Sequence, residues 1–473
     1  MEIGITPRLG AENIRGRFNP SMKKAVMIFV IVLFAFLLTS SAMPSFTQAK
    51  EEAAKPPALD AKMRTEVVKG VGELMVKLYI FPEKAKEMEA LLAKKLQEGA
   101  YDKIEDVQSF VRVLTEDLRS VTKDRHIRVI YGPEIVKRIR ARESQSADER
   151  EKERQQFLKE ERKRNFSFQE VKLLDGNIGY LDLRGFSGSR EAAETAIGAM
   201  NFLANADAVI IDLRRNGGGS PEMIQLISSY FLKERTHLNS FENRGEDTLE
   251  QYWSFHFVPG RPMFDTDLYI LTSRRTFSAA EEFTYNMKNL KRATIVGETT
   301  GGGAHPGGTK IVNDSFLVWV PTGRAINPIT KTNWEGTGIA PDVAVESDKA
   351  LDKARTLALE KLMKTAADEE AKARLQWALN DLKAKAEPAK VDEAILKKYV
   401  GRYTQGEIAL ENGQIYVLAQ GTKLRLIPLS PTYFVPEDDS EIQVEFVLDP
   451  ESKEYEAVAH FRDGETERLS RIK

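Results

Sequence analysis

The chain contains no cysteine among its 473 residues. That absence removes disulfides, thiolate nucleophiles, iron–sulfur clusters and thiolate zinc sites together. Histidine is scarce: the five are His126, His237, His256, His305 and His460, and no two have the close spacing of a helical zinc motif. A metal-independent chemistry with no cofactor is expected. Charge of one sign is lacking too. The formal net charge is −2, which leaves no basic excess to neutralise phosphates, so no nucleic-acid partner is expected. The apolar run from Ala25 to Leu38 falls short of the ~20 residues that a membrane-spanning helix needs.

That run has another use. Met22-Lys23-Lys24 precedes it and the small residues of Thr47-Gln48-Ala49 follow it, the pattern of an export signal with its cleavage site before Lys50. Residues 1–49 are therefore expected to be an upstream segment and signal peptide. The mature protein is expected to be periplasmic or secreted, touching a membrane only through residues 25–38 while the signal stays uncleaved. Without cysteine, it cannot be lipid-anchored through one.

The length predicts two to four domains, and a hydrophobic content of 42% supports sizeable cores. Residues 50–133 are expected to form an N-terminal helical domain, because apolar residues recur every three or four positions among charges. Near its end, Asp124-Arg125-His126-Ile127-Arg128-Val129-Ile130-Tyr131 alternates as a strand does. Residues 134–165, dominated by Arg, Lys and Glu, are expected to be a charged helical connector without chemistry. Residues 166–347 alternate strand and helix patterns, which builds an α/β layered core. A helical linker over 348–388 and a small antiparallel β domain over 389–473 complete the chain. No internal repeat is visible.

Within the core, the apolar run Asp267–Thr272 hands over to a helical pattern from Glu281 to Leu290, and Ser278 stands at the junction. A helix start offers unpaired N–H groups and the positive end of a dipole, so an oxyanion beside Ser278 would be stabilised. The plainer reading is a Ser-x-x-Glu capping box with Glu281. A second turn, Asp212-Leu213-Arg214-Arg215-Asn216-Gly217-Gly218-Gly219, follows a buried strand at the edge where α/β sheets place ligands. Taken alone, it is a glycine turn.

Together these stretches resemble peptidase family S41, the tail-specific or C-terminal-processing proteases and their relatives. The likeness rests on Asp212-Leu213-Arg214-x-Asn216-x-Gly218-Gly219, Thr276-Phe277-Ser278-Ala279-Ala280-Glu281, Val296-Gly297-Glu298-x-Thr300 and Glu335-Gly336-x-Gly338-Ile339-x-Pro341-Asp342. It implies a crotonase- or ClpP-like α/β core, a polypeptide substrate and Ser278 as nucleophile. One branch of the family uses a Ser–Lys dyad, yet here Gly303 stands at the lysine position of Gly297-Glu298-Thr299-Thr300-Gly301-Gly302-Gly303-Ala304. Lys310 lies a little downstream. The other branch, similar to the tricorn core and the retinoid-binding repeats, pairs the serine with an upstream histidine and a downstream glutamate.

By that resemblance His126 is the base and Glu335 the orienting carboxylate. Arg125 replaces the serine that usually precedes the histidine. The amides of Gly218, with Gly219 next, and Ala279 are the expected oxyanion hole. His305 competes for the base's role but reads more naturally as a cleft loop. Beside a scaffold whose terminal domains recruit partners, two functions stay open: a serine endopeptidase, and a non-catalytic carrier of apolar ligands or peptides on the same core. A homo-oligomer is compatible with either, and no PDZ pattern is visible.

Overall fold

A computed structural model describes residues 59–419 and 421–472. The expected signal segment, residues 1–49, lies outside the described residues. No helix among the described residues is long and apolar enough to cross a membrane.

Three helices come first: α1 (Ala61–Leu78), α2 (Pro82–Gln97) and α3 (Val107–Thr122). The carboxylates of Asp60 and Asp106 accept N–H groups of Met63 and Ser109, capping α1 and α3 where unpaired donors accumulate. Val67, Val71 and Met75 of α1 meet Phe110, Leu114 and Leu118 of α3 in one buried cluster. That cluster also contains Ile127 and Val129, and Phe316, Val318 and Val320 of a later strand. The helices are thus packed onto one face of a sheet.

After α3, Lys123 turns the chain at φ 61°. Arg119 of α3 clamps the turn, its guanidinium donating to the carbonyls of Ile127 and Arg125 at 2.8 and 2.7 Å. The expected strand is shorter than its alternation implied: β1 is Arg128–Tyr131, and Asp124–His126 stay in the turn. The charged segment forms α4 (Pro133–Glu143) and α5 (Ala147–Lys163). Leu158 is the one buried residue of α5, so ion pairs on its surface and the Ser146–Glu149 capping box support it.

The core follows, with β2 (Phe168–Leu174), β3 (Ile178–Leu183), α6 (Ala192–Leu203), β4 (Ala208–Asp212), α7 (Pro221–Ser229), β5 (His237–Asn243) and β6 (Thr248–Trp253). Next come β7 (Asp267–Thr272), α8 (Ala279–Asn289), β8 (Ala293–Gly297), β9 (Gly307–Ile311), β10 (Phe316–Pro321), β11 (Gly323–Ile326) and β12 (Val343–Ala344). Six strands form the central sheet in the order β12-β8-β7-β4-β3-β2, parallel from β12 to β3 and antiparallel at β2. β3 and β4 are buried at every residue, which explains their continuous apolar runs. Helices α6, α7 and α8 cover one face. α9 (Ala350–Lys364) and α10 (Glu369–Ala386) cover the other. Two three-stranded sheets, β1-β10-β9 and β11-β5-β6, wall the site from the side.

At the end of the chain, α11 (Glu393–Tyr399) leads into β13 (Gly401–Tyr403), β14 (Gly406–Glu411), β15 (Gln414–Ala419) and β16 (Thr422–Pro428), then β17 (Tyr433–Pro436), β18 (Ile442–Leu448), β19 (Tyr455–Phe461) and β20 (Thr466–Leu469). These pair in sequence order as an antiparallel meander. Thr404 N–H to Ser470 O and Ile472 N–H to Arg402 O join its two ends. Tyr399 closes a helix, not the start of a strand, and its ring stacks on Phe446 at 4.0 Å inside the curled sheet.

Candidate active site

Parallel strands β4, β7 and β8 end side by side, and each feeds a loop of the site. β7 runs into Ser278, whose backbone sits at φ 55°, ψ −123°. A non-glycine residue in that region is strained, by about 1–3 kcal/mol, and persists only where its surroundings impose it. Here they do. Thr276 Oγ1 donates to Leu213 O at 2.8 Å, Phe277 N–H to Asn216 O at 3.1 Å, and Gly301 N–H to Thr276 O at 2.9 Å. Ser278 N–H donates to Glu281 Oε2 at 2.9 Å, while the serine side chain makes no capping hydrogen bond. The turn is held through its backbone, the Thr276 hydroxyl and the Glu281 carboxylate, and the Ser278 hydroxyl is left for other use.

Glu281 does more than cap. Completely buried, its carboxylate also accepts the Thr300 hydroxyl at 2.5 Å and the N–H groups of Gly302 and Gly303 at 2.6 and 2.8 Å. Burial raises its pKa, and these donors oppose the rise. Sequence reasoning placed Glu281 only at a helix start, because its partners lie about twenty residues downstream.

The glycine turn after β4 lies against the serine. A Cβ on Gly218, at φ 114°, would stand 2.8 Å from Ser278 Cβ, so only glycine fits. Its own N–H, however, donates to Asn216 Oδ1 at 2.9 Å. Gly219 lines the same cleft as Ser278 and Ala279, whereas Gly218 does not. Of the two glycines expected at an oxyanion hole, Gly218 thus has its amide engaged by Asn216, while Gly219 lines the cleft.

His126 reaches the site from the turn before β1. Its ring packs on that of Phe277, centroids 4.7 Å apart. No hydrogen bond joins His126 to Ser278 in this structure. A Cβ on Gly303 would stand 2.2 Å from Phe277 Cζ and 2.7 Å from His126 Cε1. The space that a side chain at position 303 would take is filled by these two rings. Lys310 stands away on β9, paired opposite Val318.

Behind His126 lies an ionisable cluster. Asp124, fully buried, accepts the His126 backbone N–H at 3.0 Å and holds His305 Nδ1 at 2.8 Å and the Tyr79 hydroxyl at 3.2 Å. Glu335 Oε2 accepts the Ala304 N–H at 2.5 Å and lies 3.5 Å from His305 Nδ1. Two buried atoms have no partner: His126 Nδ1 and Glu335 Oε1. Asp124, His126 and Glu335 bring one ligating atom each within 4.8 Å of one another, so a divalent cation would also find donors here. Burial holds the His126 imidazole below its ordinary value, with Asp124 pulling the other way. Burial, and then the nearby Asp124 charge, pushes the Glu335 carboxyl up to about 7, against the pull of His305. The spacing Asp124-x-His126 is visible in the sequence, but nothing local marks His305 as its partner.

Ser278, Ala279, Gly219 and Gly303 thus line one cleft of about 310 Å³. His126 and Glu335 are not part of that lining, and Phe277 and Gly303 lie against the His126 ring. Arg125, in place of the usual serine, donates to Gly301 O at 2.7 Å and pins the glycine run from the other side.

Comparison with known proteins bears on this arrangement. The profile of Peptidase family S41 matches residues 177–345. That of the N-terminal domain of Peptidase_S41 in eukaryotic IRBP matches residues 47–168. Carboxyl-terminal-processing peptidase 2, chloroplastic, of Arabidopsis thaliana is 31% identical over 172 residues, 35% of this chain and 31% of that protein. A probable CtpA-like serine protease of Staphylococcus epidermidis is 25% identical over 181 residues, 37% of this chain and 35% of that one. The chain therefore spans about a third of the length of these curated relatives. Among solved structures, a putative peptidase from Parabacteroides merdae aligns with TM-score 0.43 and 19% identity, over 63% of this chain and 96% of that one.

Proposed function

The chain belongs to peptidase family S41, and from that premise we propose that it is an exported serine endopeptidase working through Ser278, His126 and Glu335. Ser278 Oγ attacks the scissile carbonyl carbon and gives its proton to the imidazole of His126. Glu335 orients that ring and stabilises its charge. The amide N–H groups of Ala279 and Gly219 receive the oxyanion, and the imidazolium then protonates the leaving amine. Water, activated by the same imidazole, releases the acyl group.

One observation carries the choice of base: His126 and Phe277 occupy the space beside Gly303 where a lysine of the dyad branch would project. The unpartnered His126 Nδ1 and Glu335 Oε1 are the donor and acceptor that an orienting hydrogen bond would join, a small movement apart. Burial keeps the imidazole neutral at neutral pH, as a base must be. An apolar carrier is disfavoured by the cleft itself, which is rimmed with glutamates.

The division expected from the sequence fits this reading, with residues 166–347 as catalytic core and 50–133 delivering His126. Residues 1–49 would direct export. The test is intact-mass analysis after exposure to a fluorophosphonate. A single adduct that is lost in Ser278→Ala and slowed in His126→Ala supports the mechanism. Well-folded protein that takes no adduct would overturn it.

A further inference from the structure

The cleft beside Ser278 contains a group that the reaction does not use. Glu282, next to the Glu281 that ties down the glycine run, lines this cleft while only 2% exposed, and its Oε1 has no hydrogen-bond partner. The lining includes Glu242, Glu246, Glu250 and Glu282, and no lysine or arginine. Arg324 pairs with Glu242 at 2.7 Å but is not itself part of the lining. Phe241, Tyr252 and Trp334 supply aromatic walls. A cleft with aromatic walls, a buried carboxyl and an acidic rim is complementary to an aliphatic stem that carries a cation.

We propose that this cleft receives a lysine or arginine side chain flanking the scissile bond, with the Glu282 carboxylate as its counter-ion. The proposal rests on the peptidase reading and names its substrate class. An apolar side chain would leave Glu282 Oε1 buried and unpaired, whereas an ammonium or guanidinium pairs it, so the site discriminates by what it leaves unsatisfied.

The site carries its own signature. Burial pushes the Glu282 carboxyl up to about 8, reinforced by the Glu222 charge on α7. The Asn239 amide on β5 opposes the rise without closing a hydrogen bond. Burial, and then Glu250, raises the Tyr252 hydroxyl on β6, which remains protonated. At neutral pH the unoccupied carboxyl therefore holds its proton. Entry of a cation converts the carboxylic acid to a carboxylate paired with that cation, and the displaced proton passes to the buffer.

The experiment uses the full chain as Ser278→Ala, titrated calorimetrically with benzamidine and with its neutral isostere benzamide, in buffers of differing ionisation enthalpy. Benzamidine is expected to bind at least about tenfold more tightly than benzamide, with uptake of a proton by the buffer, and to lose about tenfold or more in Glu282→Gln. Equal binding of the two probes, no binding of either, or an unchanged affinity in Glu282→Gln would overturn the proposal. The probe comparison needs no substitution at Glu282, so a misfolded variant cannot hide the answer. Fluorophosphonate labelling of the wild type separates the two levels. Labelling without amidinium preference removes the substrate class alone, whereas no labelling removes the peptidase reading and this substrate with it.

Discussion

Ser278 and Glu281 are joined backbone to side chain: the serine N–H donates to Glu281 Oε2 at 2.9 Å, and the same oxygen accepts the Gly303 N–H at 2.8 Å. One buried carboxylate thereby fixes the nucleophile turn and the glycine run against each other. Glu281→Gln replaces an acceptor with a donor facing two N–H groups. Labelling of Ser278 by a fluorophosphonate should slow by about tenfold or more. Retention of the far-ultraviolet circular dichroism spectrum would show that positioning, not folding, is lost, and unchanged labelling would deny Glu281 that part.

Gly303→Ala drives a methyl group into Phe277 and His126, at 2.2 and 2.7 Å from their nearest ring atoms. The expected loss in labelling rate is about 10²-fold or more, comparable with that of His126→Ala. Because both act through one imidazole, the double variant should be no slower than the worse single variant. Full additivity would mean that Gly303 matters for another reason.

The pH profile separates Glu335 from His126. Burial holds His126 below its ordinary value, so the base is already neutral near neutrality. The carboxyl of Glu335, raised to about 7, gains the charge it needs only as pH rises through that value. Labelling should therefore increase with pH around 7 and level off above it. In Glu335→Gln the plateau falls and this rise disappears, leaving a limb on the acid side that belongs to His126. A rise near 7 that survives the substitution assigns it elsewhere.

Glu282 also affects stability. Its folded pKa is raised from 4.5 to about 8, so between those values the unfolded chain binds fewer protons and stability falls as pH rises. Glu282→Gln removes that loss. Its melting temperature should exceed that of the wild type at pH 8, by an amount worth roughly 1–4 kcal/mol, and the gap should close towards pH 4. A gap independent of pH would place the effect in packing.

Much of the core was legible because its signals are local. Buried strands β3, β4 and β7 announce themselves as apolar runs, and Ser278 stands where such a run meets a helical period. Strands β5 and β6 gave no such sign, though they wall the cleft: β6 reads Thr248-Leu249-Glu250-Gln251-Tyr252-Trp253, mostly exposed and without alternation. Periodicity reports burial, and a strand at the rim has little to report.

By itself the sequence determined the layered core and the serine at a strand–helix junction, because each depends on residues adjacent in the chain; the glycine at position 303, where one branch of the family has lysine, was legible through the resemblance. Tertiary structure alone decided that Gly218 has its amide bound to Asn216, leaving Gly219 to face the cleft. It alone brought Asp124 to His305 across 181 positions and turned Glu282 into an unpaired buried acid beside Ser278. Those outcomes follow from which polar atoms the packed chain satisfies and which it leaves unpaired, a balance struck between segments far apart in sequence.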